Sequence, residues 1–116
     1  MNNLLSETIE SYNQYVEKIP SGAFYIANCL RTDNITEALS GIKAFSEGVI
    51  WLIDVKGLLK KNQVNVELSI EKIQEFLIEI NTGLEMQDYI LVADMFEYEI
   101  APFFEECMLN KVSNIQ

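Results

Sequence analysis

The stretch "QDYILVADMFEYEIAPFFEE", Gln87–Glu106, decides the fold. It packs six carboxylates, five aromatic rings and one proline into twenty residues. Its apolar residues follow a helical period, with no sustained alternation. Tyr89, Val92, Ala93, Phe96, Ile100, Phe103 and Cys107 fall on one face, the expected core face. A second apolar stripe, Leu91, Met95, Tyr98 and Pro102, lies nearly opposite. Glu99 and Glu106 separate the stripes on one side; Asp94, Glu97 and Glu105 separate them on the other. Asp88 is a good N-cap for a helix starting at Tyr89. Pro102 cannot donate to the Tyr98 carbonyl, and its ring crowds that turn. The helix is therefore expected to kink near 98–102, or to end and restart with Pro102 in its first turn.

Upstream, Val66, Ile70, Ile73, Leu77, Ile80 and Leu84 are spaced 4, 3, 4, 3, 4, a heptad seam with Glu67, Glu71, Lys72, Glu75 and Glu79 outside it. This predicts a helix from Val66 or Ser69 to Leu84. The short "EMQD" link makes it an antiparallel hairpin with the last helix. Residues 35–60 predict a long helix with a narrow polar stripe of Thr36, Ser40, Lys43, Glu47 and Asp54. Such a helix is expected to be central and largely buried. Gly41, Ala44 and Gly48 share one side of it, which suggests close approach of another helix backbone. Residues 4–19 form an amphipathic helix that Pro20-Ser21-Gly22 ends or kinks, and a shorter helix covers 22–31. The expectation is an all-α, single-domain, up-down bundle of four to five helices over residues 1–116, with 110–116 a frayed tail. A faint echo links "CLRTDNITEAL" with "GLEMQDYILVA", without amounting to a repeat.

Composition narrows the function. Of 116 residues, 49% are hydrophobic, enough for one core without staples. The net charge is −10, and it is uneven. Residues 1–34 carry −2, 35–65 carry +1, 66–87 carry −4 and 88–116 carry −5. Such a surface repels phosphates, so no direct nucleic-acid or membrane binding is expected. The acidity serves solubility at least; it also suits a basic protein partner or mimicry of a nucleic acid. Cys29 and Cys107 sit among apolar neighbours in no metal or redox motif. The start is polar and acidic, unlike a signal peptide, and no apolar run approaches membrane length. A cytoplasmic, reduced protein is expected.

The chain has no histidine, which removes His-based metal sites and Ser-His or Cys-His nucleophiles. An all-carboxylate magnesium site survives that exclusion. All-α nucleotide pyrophosphohydrolases carry paired E-x-x-E and E-x-x-D motifs; the nearest matches here are Glu7/Glu10 and Asp94/Glu97. Both pairs map to faces expected to be wet, and the residue order is wrong. Asp94 and Glu97 are the least unlikely metal ligands, and no cofactor is expected. Arg31 is the single arginine, too few cations for a chorismate-mutase-like dicarboxylate site. Asp54/Lys56 and Lys43/Glu47 read as helix-surface ion pairs.

The residues Asp88, Tyr89, Leu91, Ala93, Asp94, Glu97, Tyr98 and Glu99, followed by Pro102, Glu105 and Glu106, spell D-Y-x-L-x-A-D-x-x-E-Y-E and P-x-x-E-E. This resembles a signature of small, uncharacterised bacterial helical proteins, and the resemblance implies no known activity. Size, acidity and helicity are also similar to flagellar and secretion export chaperones, without a specific motif of theirs. The sequence points to a non-enzymatic bundle acting by protein contact, as a dimeric adaptor or chaperone-like module. Leu91, Met95, Tyr98 and Pro102 are the candidate interface, for a homodimer or another protein.

Overall fold

A stripe of Ile9, Tyr12, Val16, Ile19, Ala23, Ile26 and Leu30, spaced 3, 4, 3, 4, 3, 4, is buried along the first helix, α1 (Asn3–Arg31). In the computed structural model, which describes residues 3–112, α1 runs unbroken through Pro20. The expected break at Pro20-Ser21-Gly22, and a separate helix over 22–31, are thus corrected. Proline inside a helix costs about 3 kcal/mol. The stripe continues in register on both sides of Pro20, and tertiary packing of an apolar face outweighs local propensity.

α2 (Ile35–Lys61) returns antiparallel to α1: Tyr25 bonds to Glu37 near the turn, and Tyr15 meets Trp51 far from it. α3 (Ile70–Glu85) follows an extended link, with the Ser69 hydroxyl accepting from the Lys72 N–H at 3.2 Å. Its buried residues are Ile73, Phe76, Ile80 and Gly83; Leu77 and Leu84 of the expected seam pack half-buried against the core beside them. The last helix is composite: α4 (Tyr89–Met95), a π turn (Phe96–Ile100) and α5 (Ala101–Leu109). Asp88 caps it as expected, accepting from the Leu91 N–H at 3.1 Å. Its start lies beside the end of α1 and its end beside the start, through Arg31–Asp94 and Asn13–Val112. The four rods therefore run up, down, up, down, in a body of 49 × 21 × 21 Å. The all-α, single-domain expectation holds.

The central rod is α1, which packs against α2, α4, the π turn and α5. The 35–60 helix exists as expected, but only one face of it is buried, by Ala38, Ile42, Phe45, Val49, Leu52, Val55 and Leu59. Leu39, Ile50, Trp51 and Leu58 are exposed. Gly41 and Gly48 face side chains of α1 and not a backbone. A Cβ on Gly48 would lie 1.6 Å from the Tyr15 hydroxyl, and one on Gly41 2.9 Å from Ile26 Cγ1.

Five phenylalanines knit the core. Phe45 of α2 sets its edge against Phe96 at 5.2 Å and Phe104 at 6.2 Å. Phe104 meets Phe103 at 4.9 Å, and Phe103 meets Phe76 of α3 at 5.4 Å. All four contacts are the edge-to-face geometry that aromatic quadrupoles favour. The C-terminal end is tied down and not frayed as far as residue 112. Asn13 donates to the Val112 carbonyl at 2.9 Å and accepts its N–H at 3.1 Å, and Lys111 pairs with Glu17. Residues 113–116 of the expected tail lie outside the described residues.

Candidate functional site

Pro102 shapes the last helix. The turn before it widens, so that the Ala101 N–H bonds to the Phe96 carbonyl five residues back. A π turn gives the proline ring room where an α turn would crowd it. It also inserts one residue into the helical phase. Phe104, not Phe103, is therefore fully buried beyond the turn. Pro102 falls in the first turn of α5, the restart expected from sequence.

The predicted interface stripe does not survive as a unit. Met95 is 3% exposed and belongs to the core, whereas Leu91, Tyr98 and Pro102 are exposed. Tyr98 has an intramolecular neighbour, since the Arg31 guanidinium carbon lies 6.0 Å from its ring centroid.

Asp94 and Glu97, one turn apart on the last helix, meet at Arg31. Its Nη2 donates to Asp94 Oδ1 at 2.7 Å and its Nη1 to Glu97 Oε1. The two carboxylates, Asp94 foremost, hold the guanidinium proton more firmly than usual. The pair expected as least unlikely metal ligands is thus the two-pronged seat of the chain's single arginine. Glu7 and Glu10 are exposed on α1. Among the described residues, no group of three or more Cys, Asp and Glu is placed to hold a metal ion. Lys56 donates to the Leu68 carbonyl, and neither Asp54/Lys56 nor Lys43/Glu47 forms an ion pair among the described residues.

Two grooves flank α1. The first, between α1 and α2, has a pocket of about 220 Å³ over Ile19, Gly22, Ala23, Ile26, Gly41, Ala44 and Phe45. It continues past Tyr15 and Lys18 into a second of about 320 Å³, beside Gly48 and Trp51. Tyr15 sets its ring edge on Trp51 at 5.8 Å. Tyr25 closes the other end, its hydroxyl donating to Glu37 at 2.8 Å and pushed up to about 12 by that bond and by Cys29. Trp51 borders this groove at 39% exposed, and Leu58, seven residues further along α2, is 51% exposed.

The second groove lies between α1 and α5, with a volume of about 650 Å³. Pro20, Phe24, Met108 and Leu109 form its apolar surface, and Glu17, Ser21, Glu105 and Glu106 its polar rim. Beside it, burial and the Glu106 charge push the half-buried Cys107 thiol up to about 11, so it is no poised nucleophile. Cys29 is a free, buried thiol. Sequence reasoning missed both grooves, because each is made by two helices whose pairing no single wheel displays. The Arg31 fork had a weak signal: a lone arginine ending one helix and an i, i+3 acid pair on another.

No helix of the described residues is long and apolar enough to cross a membrane. This is a four-rod helical bundle with grooves on both sides of its central helix. The chain belongs to the family described as Domain of unknown function (DUF8042), whose model matches residues 7–109. No curated protein and no solved structure matches it.

Proposed function

We propose that the chain is a non-enzymatic interaction module that self-associates through its α1–α2 face. The observation that carries this reading is the apolar display around the first groove. Tyr25 and Trp51 stand exposed around a floor thinned by Gly22, Gly41, Ala44 and Gly48, and Leu58 is exposed two turns beyond Trp51 on α2. Aromatic side chains beside small ones suit the core of a protein interface. Charge supports the choice of face. Nearly all the net charge lies in residues 66–116, on α3, the last helix and their flanks, while residues 35–65 carry +1. Two copies meeting by their α1–α2 faces keep their acidic sides apart. The magnesium-hydrolase reading loses its best candidates, because Asp94 and Glu97 already seat Arg31.

Light scattering after size exclusion tests the proposal. A dimer is expected at ~100 μM, where an interface of micromolar affinity is largely occupied. Trp51→Glu with Leu58→Glu should return it to monomer without loss of helicity, both side chains being exposed. A wild type that stays monomeric at that concentration sinks the self-association reading.

A further inference from the structure

The second groove points to a different occupant. It is apolar at its base and acidic at its edge, and no second copy is a good fit for it through the same face. Two such grooves would bring Glu17, Glu105 and Glu106 of one copy against the same acids of the other. We propose that the α1–α5 groove docks a basic amphipathic helix of another protein, its apolar stripe on Phe24 and Leu109 and its lysines or arginines on the acidic rim. This rests on the reading of the chain as an interaction module, but on a separate face.

The dimensions fit. On α1, Glu17 to Phe24 spans about 10 Å at 1.5 Å per residue. On the last helix, Glu105, Glu106, Met108 and Leu109 line it over about 6 Å, one turn. The longer α1 side matches about two turns of a docked helix. Apolar anchors at i, i+3 or i+4, and i+7 cover such a length. The apolar surface is unusually open to water: Phe24 is 43% exposed and Leu109 84%. Singly, either would be ordinary; together, on two helices across one groove, they form a contact surface.

Charge gives the chemistry of the occupant. Among the described residues, Glu105 and Glu106 make no ion pair, whereas Glu17 already takes the chain's own Lys111. The rim thus accepts an ammonium group in the resting molecule and keeps two carboxylates for a partner. An anionic surface, whether nucleic acid or lipid, meets repulsion at this edge.

The probe is a fluorescein-labelled synthetic helix built only of leucine and lysine, with leucines at i, i+3, i+4 and i+7, measured by polarisation against the full chain. Two controls accompany it: the same composition scrambled so that no apolar face forms, and an analogue with glutamate replacing lysine. The amphipathic basic helix should bind with Kd on the order of 10 μM, suited to a short groove. The scrambled and acidic peptides should bind at least ~tenfold more weakly, and added salt should weaken the basic one. Glu105→Gln with Glu106→Gln should weaken binding severalfold, and Leu109→Ser about tenfold, with unchanged helicity since all three side chains are exposed. Trp51→Glu should leave peptide binding intact. The proposal is overturned by absence of binding, by equal binding of the scrambled peptide, or by groove variants that bind as wild type. It is also overturned if Leu109→Ser dissociates a dimer, since a second copy would then cover the groove. Peptide failure with a dimer intact removes this inference alone; a monomer that still binds the peptide removes only self-association.

Discussion

Arg31 shows what one residue does for two helices. Its fork holds Asp94 and Glu97 at the top of the last helix, and its face lies by Tyr98. These are partly exposed pairs, so their contribution is orientation more than stability. The sequence made Arg31 visible only as a shortage of cations, because its partners sit 63 and 66 residues away. At the other end of the same pair of helices, Cys107 and Tyr12 titrate against burial. Cys107 is raised from its ordinary 9.0 to about 11, by burial first and Glu106 second. Tyr12 is raised by burial and by Cys107. Both groups are neutral when protonated, and folding favours that form. The Cys107 contribution is therefore complete below pH 9.0 and is lost as pH rises through about 11, while that of Tyr12 begins to fall only above its ordinary 10.0. Thermal unfolding should show a plateau from neutral pH to about 9 and a steepening fall above it. Cys107→Ala should flatten part of that fall; superimposable profiles for the two proteins would remove Cys107 from the account.

Among the elements, the helix ends carry a pattern that the sequence half disclosed. α1, α2 and α3 each stop at a left-handed residue, Asp33 at φ 63°, Gln63 at φ 61° and Gln87 at φ 55°. The residue after each bonds back five positions: Asn34 to Cys29 at 2.8 Å, Val64 to Leu59 at 2.9 Å and Asp88 to Gly83 at 2.8 Å. These are the closures that helices usually make with glycine. The echo between "CLRTDNITEAL" and "GLEMQDYILVA" is this shared turn, so a weak likeness in letters reports a likeness in backbone. The heptad stripe of α1 was equally readable across Pro20, and the proline's local meaning masked it. The π turn was not readable, since the phase shift that buries Phe104 depends on how the turn before Pro102 widens. A non-glycine residue in the left-handed region costs about 1–2 kcal/mol, part of which glycine returns through its freer unfolded chain. Gln63→Gly should therefore stabilise the fold by about 0.5–1 kcal/mol and raise Tm by about 2–5 °C. Circular-dichroism melting reads this directly. A lowered Tm would mean that the Gln63 amide, which donates to the Lys61 carbonyl at 3.3 Å, outweighs the backbone cost.

For the whole molecule, the question is what joins the α1–α2 half to the α3–last-helix half. Helices α2 and α3 meet thinly, so α1 and the ring chain carry the connection. Phe45 is the ring through which α2 enters that chain, with edges on both Phe96 and Phe104. It also lines the base of the α1–α2 groove, so the core joint and the proposed self-association face share a residue. Truncating a buried phenylalanine removes its transfer energy and leaves a cavity, at a cost of about 3–5 kcal/mol. Domains of this kind have about 5–15 kcal/mol in total. Phe45→Ala should accordingly lower the urea midpoint sharply at nearly constant m, the mark of a lost core contact in a two-state fold. Phe24→Ala removes a ring of the same size from the open α1–α5 groove and should shift the midpoint little, within about 0.5 kcal/mol. If the two halves instead unfold separately in Phe45→Ala, seen as a biphasic curve, the rings bind halves that are otherwise independent. If both variants melt like wild type, packing around α1 alone joins the halves, and the ring chain is not what makes the bundle one cooperative body.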